Sequence, residues 1–480
     1  METNEEVPHV RFGRQGRWRQ RAASLPPAEQ GISASAVEGP ALPEDSTVHL
    51  VLQLALRVGE AQSASGAGAA DVTATMLAIT AAYGLPHTEV DVIYTSISVC
   101  CHRGTDKAPV TALRVVRSRG LDYTRLAAVD GLVRAITAGT IAADDACAEL
   151  GRITSAPHPY PRWLSTLAWA GMAAAVAVLL GGDALLAVTA AAITAVIDRV
   201  GRLLNRRALP FFFQQVVGGV LATAAALGVF ASGLLPGVRP SLVVAAGIVV
   251  LLSGLSLVST VQDAITGYNV TAAGRTMEIA LMTAGLIAGV ALTLHTGVRL
   301  GLRTSITEPL PPLISDLPVQ VLAAAATAAC FALASYARPK ALVVAAVAGA
   351  VGMASYGLLY LVGSDMVTSS AVAAVIVGFG GALMSRRLRI PPLVVAVSGM
   401  TPLLPGLTTY RALYQLTAER DAAGLSTLVL AVGIGLALAG GVVLGEFLAQ
   451  PVRSGLSRLE RKLAGPRLLG PLRPARRRLE

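Results

Sequence analysis

The 480-residue sequence predicts an α-helical polytopic membrane protein: ten transmembrane helices as two inverted five-helix repeats, preceded by a small α/β cytoplasmic domain. Three observations carry this fold class. From Trp163 onward, apolar runs of roughly 20 residues recur, each long enough to cross a hydrocarbon core about 30 Å thick. Lys and Arg gather in alternate short loops between those runs. Finally, residues 240–261 overlay without a gap on residues 392–413, with identity at Pro240/Pro392, Val243/Val395, Gly247/Gly399, Leu251/Leu403, Leu252/Leu404, Gly254/Gly406 and Leu255/Leu407.

In chain order, residues 1–45 come first. Arg11, Arg14, Arg17, Arg19 and Arg21 precede Pro-, Ser- and Glu-containing sequence with no apolar periodicity. A disordered basic arm is expected, able to touch anionic lipid headgroups. No apolar core of a signal peptide is visible there.

Residues 46–155 pattern as the α/β domain. Helices are expected over 48–60, 71–83, 121–138 and 141–153. The β-branched stretch 90–101 reads as one strand and 110–116 as its partner. A stiff Pro-rich linker, 156–162, leads to the first span. The spans follow at 163–181, 183–198, 211–234, 241–258, 276–295, 317–337, 341–362, 366–384, 391–408 and 425–447. They divide into a first repeat (163–295), an external loop (296–316), a second repeat (317–449) and a basic tail (450–480).

Orientation follows from the positive charges. With the N-terminus inside, cytoplasmic loops hold Arg199, Arg202, Arg206, Arg207, Arg275, Arg338, Lys340, Arg386, Arg387 and Arg389. The opposite loops hold Arg239, Arg299, Arg303, Arg411 and Arg420. Both termini are therefore expected in the cytoplasm. An odd number of spans per repeat then forces the two repeats into opposite orientations.

Composition narrows the function. At 54% hydrophobic and 14% charged residues the chain is far from the soluble norm. Its net charge of +10 suits positive-inside loops, and 4% aromatic content offers few stacking surfaces for bases, so nucleic acid is not an expected partner. Cys100, Cys101, Cys147 and Cys330 lack metal or disulfide spacing, and no cofactor is implied. His87, Glu89 and Asp91, with Asp122, Arg125 and Asp130, could in principle serve acid–base chemistry. However, no nucleophile elbow, P-loop or zinc motif accompanies them, so an enzyme is not expected.

Paired helix interruptions in corresponding halves point to a transport site, because unwound backbone at depth exposes N–H and C=O groups to a polar solute. Ser253 and Gly254 supply one break, and Pro402 with Pro405 and Gly406 supplies the other. The half-helix N-termini would attract a carboxylate. Ser256, Thr401, Thr408 and Thr409 add hydroxyls; Tyr410 and Gln214 complete the candidate binding set. Ionisable residues in or near spans are functional candidates by default. Asp263 and Glu278 flank the first broken segment, with Arg275 between them, and are the expected proton-coupling groups.

The order of these features resembles the threonine/serine exporter family of bacterial membrane proteins over roughly residues 48–450. The resemblance rests on Ser65-Gly66-Ala67, Ala81-Ala82-Tyr83-Gly84-Leu85, Leu121-Asp122 with Leu126-Ala127 and Val129-Asp130-Gly131-Leu132, Ser253-Gly254-Leu255 followed by Asp263, Gly274-Arg275, and Leu403-Leu404-Pro405-Gly406-Leu407 near Tyr410. It implies a cytoplasmic N-terminal domain fused to ten spans, exporting small hydroxylated amino acids on the proton motive force. Two positions depart from the pattern: Asp71 stands where a Glu is expected, and Ser253 replaces the Pro of the first break. The expected partners are a small amino-acid substrate, protons and anionic lipid, with a homo-oligomer left open, in the bacterial cytoplasmic membrane. The alternatives are carriage of peptides or organic acids, or a membrane-anchored enzyme or sensor acting through residues 46–155.

Overall fold

The first helix, α1 (Asp45–Ala64), is apolar around most of its circumference, and Val48, Val51, Leu52, Leu54, Ala55, Leu56 and Val58 are all buried. It forms the centre of an N-terminal layer completed by α2 (Ala69–Ala82), three strands, α3 (Tyr123–Thr137) and α4 (Ala143–Ser155). The structure, a computed structural model, describes residues 44–103, 107–117, 120–233, 240–251, 254–301, 315–388 and 390–449. The basic arm and the tail lie outside these described residues.

The strands β1 (Thr88–Ile93), β2 (Ser96–Cys101) and β3 (Val110–Val115) form an antiparallel sheet in the order β1-β2-β3. Val90 faces Val99 and Val92 faces Ile97 across the first pair, and these four side chains make its buried face. The expected single strand over 90–101 is thus a hairpin that turns at Tyr94-Thr95. Tyr94 adopts a left-handed φ of +55°. Neither turn residue is a Gly or Asn, the usual signals for such a conformation, so the pattern reads as continuous strand.

The remaining chain is helical: α5 (Arg162–Leu179), α6 (Ala184–Arg206), α7 (Phe211–Ser232), α8 (Pro240–Leu251), α9 (Gly254–Ile265), α10 (Asn269–Arg299), α11 (Leu317–Ala334), α12 (Pro339–Leu361), α13 (Met366–Leu388), α14 (Pro392–Met400), α15 (Gly406–Tyr414) and α16 (Ala423–Ala449). Eight of these are long and apolar enough to cross a membrane. Two further pairs are bent, α8 with α9 by 51° and α14 with α15 by 43°, giving up to ten crossings if each pair is one span. The described residues therefore form a polytopic membrane fold.

Helix starts recur at a near-constant interval. The α5, α6 and α7 starts precede those of α11, α12 and α13 by 155 residues, and the α8 and α9 starts precede those of α14 and α15 by 152. Packing repeats as well. A Cβ on Gly289 of α10 would lie 2.2 Å from the Val216 carbonyl oxygen of α7, and one on Gly445 of α16 would lie 2.3 Å from that of Val375 in α13. Small residues let these helix backbones approach where lipid provides no hydrophobic drive. The first helices of the two halves, α5 and α11, lie side by side and antiparallel: Ser165 Oγ donates to Ala334 O (3.1 Å), while Trp169 packs edge-on against Phe331.

One boundary shift matters for the site. The span expected from residue 276 begins at Asn269, so Arg275 and Glu278 lie inside α10 rather than in a loop and an opening turn. At 1.5 Å per residue this 31-residue helix is about 46 Å long, well beyond the hydrocarbon thickness. Its polar first turns are where the N-terminal layer docks.

Candidate functional site

The two bent pairs lie at the centre of the bundle. Residues 242–246 and 248–249 of α8, and 394–397 of α14, are almost wholly buried. The pairs also touch each other, because Gly406, which opens α15, sits directly on α8. A Cβ there would meet Val249 Cγ2 at 2.2 Å and the Ala245 carbonyl oxygen at 3.0 Å. Gly254 occupies the corresponding place in the first half as the opening residue of α9; Ser253 lies outside the described residues.

Around the second bend, Thr401 and Pro402 are buried in a tight 3-10 turn, Thr401–Leu403. Pro405 immediately precedes α15. Thr401 Oγ1 donates to Val397 O (2.8 Å) and Thr409 Oγ1 to Pro405 O (2.7 Å). Tyr410 is buried, its ring 6.2 Å from that of Tyr414, and Thr408 is half-buried. In the first half, Ser256 is half-buried, and its carbonyl accepts from Ser259 and Thr260. Gln214 donates to Leu209 O (2.7 Å) and lines a cavity that reaches Val250 and Leu251, the last residues before the first bend.

The three ionisable candidates gather elsewhere, at the junction between the N-terminal layer and the corner of α9 and α10. Asp263 is fully buried. Its Oδ1 accepts from the backbone N–H of Ala69, the first residue of α2, at 2.6 Å, and its Oδ2 lies 2.9 Å from Arg275 Nη1. Arg275 Nη2 in turn donates to Ala67 O (3.2 Å). A carboxylate from one element thus caps the positive end of a helix in another, with a guanidinium balancing the charge. Close by, Gln262 Nε2 donates to Asp71 Oδ2 (2.9 Å) and Tyr268 Oη to Thr73 Oγ1 (2.9 Å).

The β1–β2 hairpin completes this clasp. Tyr94 N donates to Thr271 Oγ1 (2.9 Å), Thr271 Oγ1 donates to Val92 O (2.9 Å), and Tyr94 Oη donates to Glu278 Oε2 (3.2 Å). The left-handed backbone at Tyr94 costs energy, and these contacts with α10 hold it in place.

A second junction ties the layer to the other half. Tyr123 N donates to Ser335 O (2.9 Å) and Thr124 Oγ1 to Tyr336 O (2.5 Å), so the start of α3 grips the turn between α11 and α12. Tyr123 itself enters the bundle core beside Phe331. Burial raises the pKa of its hydroxyl well above the ordinary phenol value, an effect the neighbouring Ser398 of α14 partly offsets. Asp122 caps α3 through Arg125 N (2.9 Å) and holds His158 Nδ1 at 2.8 Å.

Of the predicted residues, the structure sets Gly406 of the second bend against α8 in the core and gathers the ionisable ones at the clasp, while Gln214 bonds to Leu209 just before its own helix. Sequence reasoning missed Gln262, Tyr268, Thr271, Tyr94, Tyr123 and Ser398. Gln262 was detectable as an amide within an apolar run, which needs a partner. The others carry no local signal, since their partners lie far away in the chain.

Comparisons with known proteins match two successive stretches of the chain. A family model described as "Putative threonine/serine exporter" matches residues 53–297, and one described as "Threonine/Serine exporter, ThrE" matches residues 320–448. A protein of Mycobacterium tuberculosis (strain ATCC 25618 / H37Rv) named "Probable threonine/serine exporter" is 42% identical over 425 residues, covering 87% of this chain and 79% of that protein. A "Threonine/serine exporter" of Corynebacterium glutamicum is 37% identical over 416 residues, covering 86% of this chain and 85% of its own length. No solved structure gives a significant match.

Proposed function

Because the chain belongs to the threonine/serine exporter family, we propose that it carries threonine, serine or a similar small amino acid out of the bacterial cell by proton antiport with alternating access. It is a transporter rather than an enzyme, a multi-pass protein of the bacterial cell membrane. The observation that carries the mechanistic reading is the contact of Gly406 with α8, which sets the two interrupted segments against each other at the centre of the bundle.

In this reading the N-termini of α9 and α15, at Gly254 and Gly406, receive the substrate carboxylate. Ser253, Ser256, Thr401 and Thr408 read its polar groups, Pro405 keeps the second break open, and Tyr410 and Gln214 flank the path. The antiparallel pairing of α5 with α11 supports an inverted relation between the halves, which would rock against each other to alternate access. The Lys and Arg bias supports placing both termini, and with them the N-terminal layer, in the cytoplasm. The basic segments 1–45 and 450–480 would there meet anionic headgroups.

Asp263, Glu278 and Arg275 act in proton coupling through the clasp. A proton taken up by Asp263 would cancel the charge that holds Ala69 N–H and Arg275, loosening α2 from the α9–α10 corner. Coupling would then work through the attachment of the N-terminal layer.

The test is release of labelled threonine from proteoliposomes, with and without a pH gradient. Wild type should show gradient-dependent release, and Gly406→Val should lose it. Asp263→Asn should lose gradient dependence; if dependence persists, the coupling site lies elsewhere. No release of threonine or serine from folded protein rejects the cargo assignment.

A further inference from the structure

A cavity of about 590 Å³ lies between α1, α3, the linker after α4 and the turn that joins α11 to α12. It is separate from both bends and from the Asp263 clasp. Its volume falls within the range of small-molecule sites. Its lining carries both signs of charge. Arg57 of α1 is half-buried and, among the described residues, has neither an ion pair nor a hydrogen bond. Arg114 is paired with Glu60, and buried Asp122 is shared by Arg125 and His158.

The wall facing the bundle is the turn that ends α11. Tyr336 adopts a left-handed φ of +59°, and its ring stacks on that of His158 at 4.3 Å and 13°. The conformation is that of a left-handed helix end: Tyr336 N donates to Leu333 O (3.0 Å) and Ala337 N to Ala332 O (2.9 Å), closing α11. Thr124 binds the Tyr336 carbonyl and so ties this wall to α3.

From this lining we infer that the cavity is a second binding site, for a free zwitterionic amino acid, distinct from the transport path. The α-carboxylate meets the guanidinium of Arg57, and the ammonium meets the carboxylate oxygens of Asp122 and Glu60. Arg114 and Arg125 are already engaged by Glu60 and Asp122, so a phosphate would find Arg57 as its cation among the described lining residues, while a simple cation would face all three guanidinium groups. The bound ligand would touch the elements that grip the α11–α12 turn, so its occupancy would report cytoplasmic amino acid to the second half. The choice of an amino acid as ligand rests on the export reading; the existence of the site does not.

Hydrogen–deuterium exchange on the full-length protein in lipid nanodiscs tests this, with threonine, serine, threoninol and inorganic phosphate as probes. Threonine and serine should slow exchange in the second half of α1, the first turn of α3 and residues 335–337. Threoninol, which lacks the carboxylate, should not. Arg57→Gln should raise the half-saturating concentration about tenfold or more, the scale of one charge-assisted hydrogen bond. Absence of protection by either amino acid, protection that survives Arg57→Gln unchanged, or protection by phosphate alone would each overturn the inference. Efflux is measured in parallel: protection without efflux leaves this site standing and rejects the export reading, and efflux without protection does the reverse.

Discussion

The two bent helix pairs share a register and an opening glycine, yet they are anchored by opposite physical means. The first, α8 with α9, ends in a buried charge: Asp263 is held by a helix N-terminus and a guanidinium that belong to different parts of the fold. The second, α14 with α15, is anchored in an apolar core, and the N-terminal layer reaches it through the ring of Tyr123 beside Ser398. A buried charge pair is directional and gains little net stability once desolvation is counted, yet it is costly when one partner is lost. Apolar insertion is non-directional and tolerates small changes. The comparison teaches that two bent pairs of like register can be attached to the same N-terminal layer, one by buried charge and the other by apolar insertion.

The largest expected effect breaks the charged attachment. Asp263→Ala leaves Arg275 buried without its carboxylate and should destabilise the folded protein by about 3–5 kcal/mol, read as a lowered unfolding midpoint in detergent. The double change Asp263→Asn with Arg275→Gln should recover most of that loss, because no net charge then remains buried.

Next comes the apolar bend. Tyr123→Ala should cost about 3–5 kcal/mol as a core truncation, at the lower end if the start of α3 settles inward. Tyr123→Phe should cost no more than about 1 kcal/mol, since Ser398 neighbours the hydroxyl but does not meet it in good hydrogen-bond geometry. A large loss on Tyr123→Phe would show that the second bend also depends on a polar contact, and the contrast between the bends would fall.

Gly406→Val tests the point where the bends meet. Its Cβ would collide with Val249, and overpacking of this kind costs about 1–3 kcal/mol. The transport rate should fall more steeply than the unfolding midpoint. Asp122→Ala removes the cap of α3 and should cost about 1 kcal/mol, loosening the second junction while leaving the first intact. Exchange at residues 335–337 would rise, while exchange at the start of α2 would not.

The smallest effect is expected outside both attachments. Arg103 holds the carboxyl of Asp45 below its ordinary value of 3.8, first by a hydrogen bond and then by charge. A lowered carboxylate pKa contributes stability above the ordinary value and loses it as pH falls through the lowered one. Arg103→Gln should therefore lower the unfolding midpoint by the same small amount at every pH between 5 and 8, and the difference from wild type should vanish as the pH falls below the lowered value. A large drop at pH 7 would mean that this pair supports one of the junctions.

Much of this was legible in the sequence. Apolar runs of near-constant length locate the helices, since a bilayer fixes how long a crossing segment must be. The breaks were legible because Pro and Gly act on the backbone locally. The start of α10 was not, because Asn269, Thr271 and Arg275 are too polar to score as a span; the helix continues there because the N-terminal layer covers it. The hairpin at Tyr94-Thr95 was missed because two strand-forming residues occupy the turn, held by Thr271 and Glu278 nearly two hundred positions away. In the candidate site, Asp263 and Arg275 stood out as charges near a span, but nothing adjacent to them announces Ala69 as a partner.

The sequence alone therefore determined what depends on neighbours in the chain: where helices form, where they break, and that the pattern occurs twice. Tertiary structure decided what each charge is for. A buried carboxylate must find donors wherever the fold offers them, and for Asp263 those donors come from a helix start and an arginine brought together by docking of the N-terminal layer.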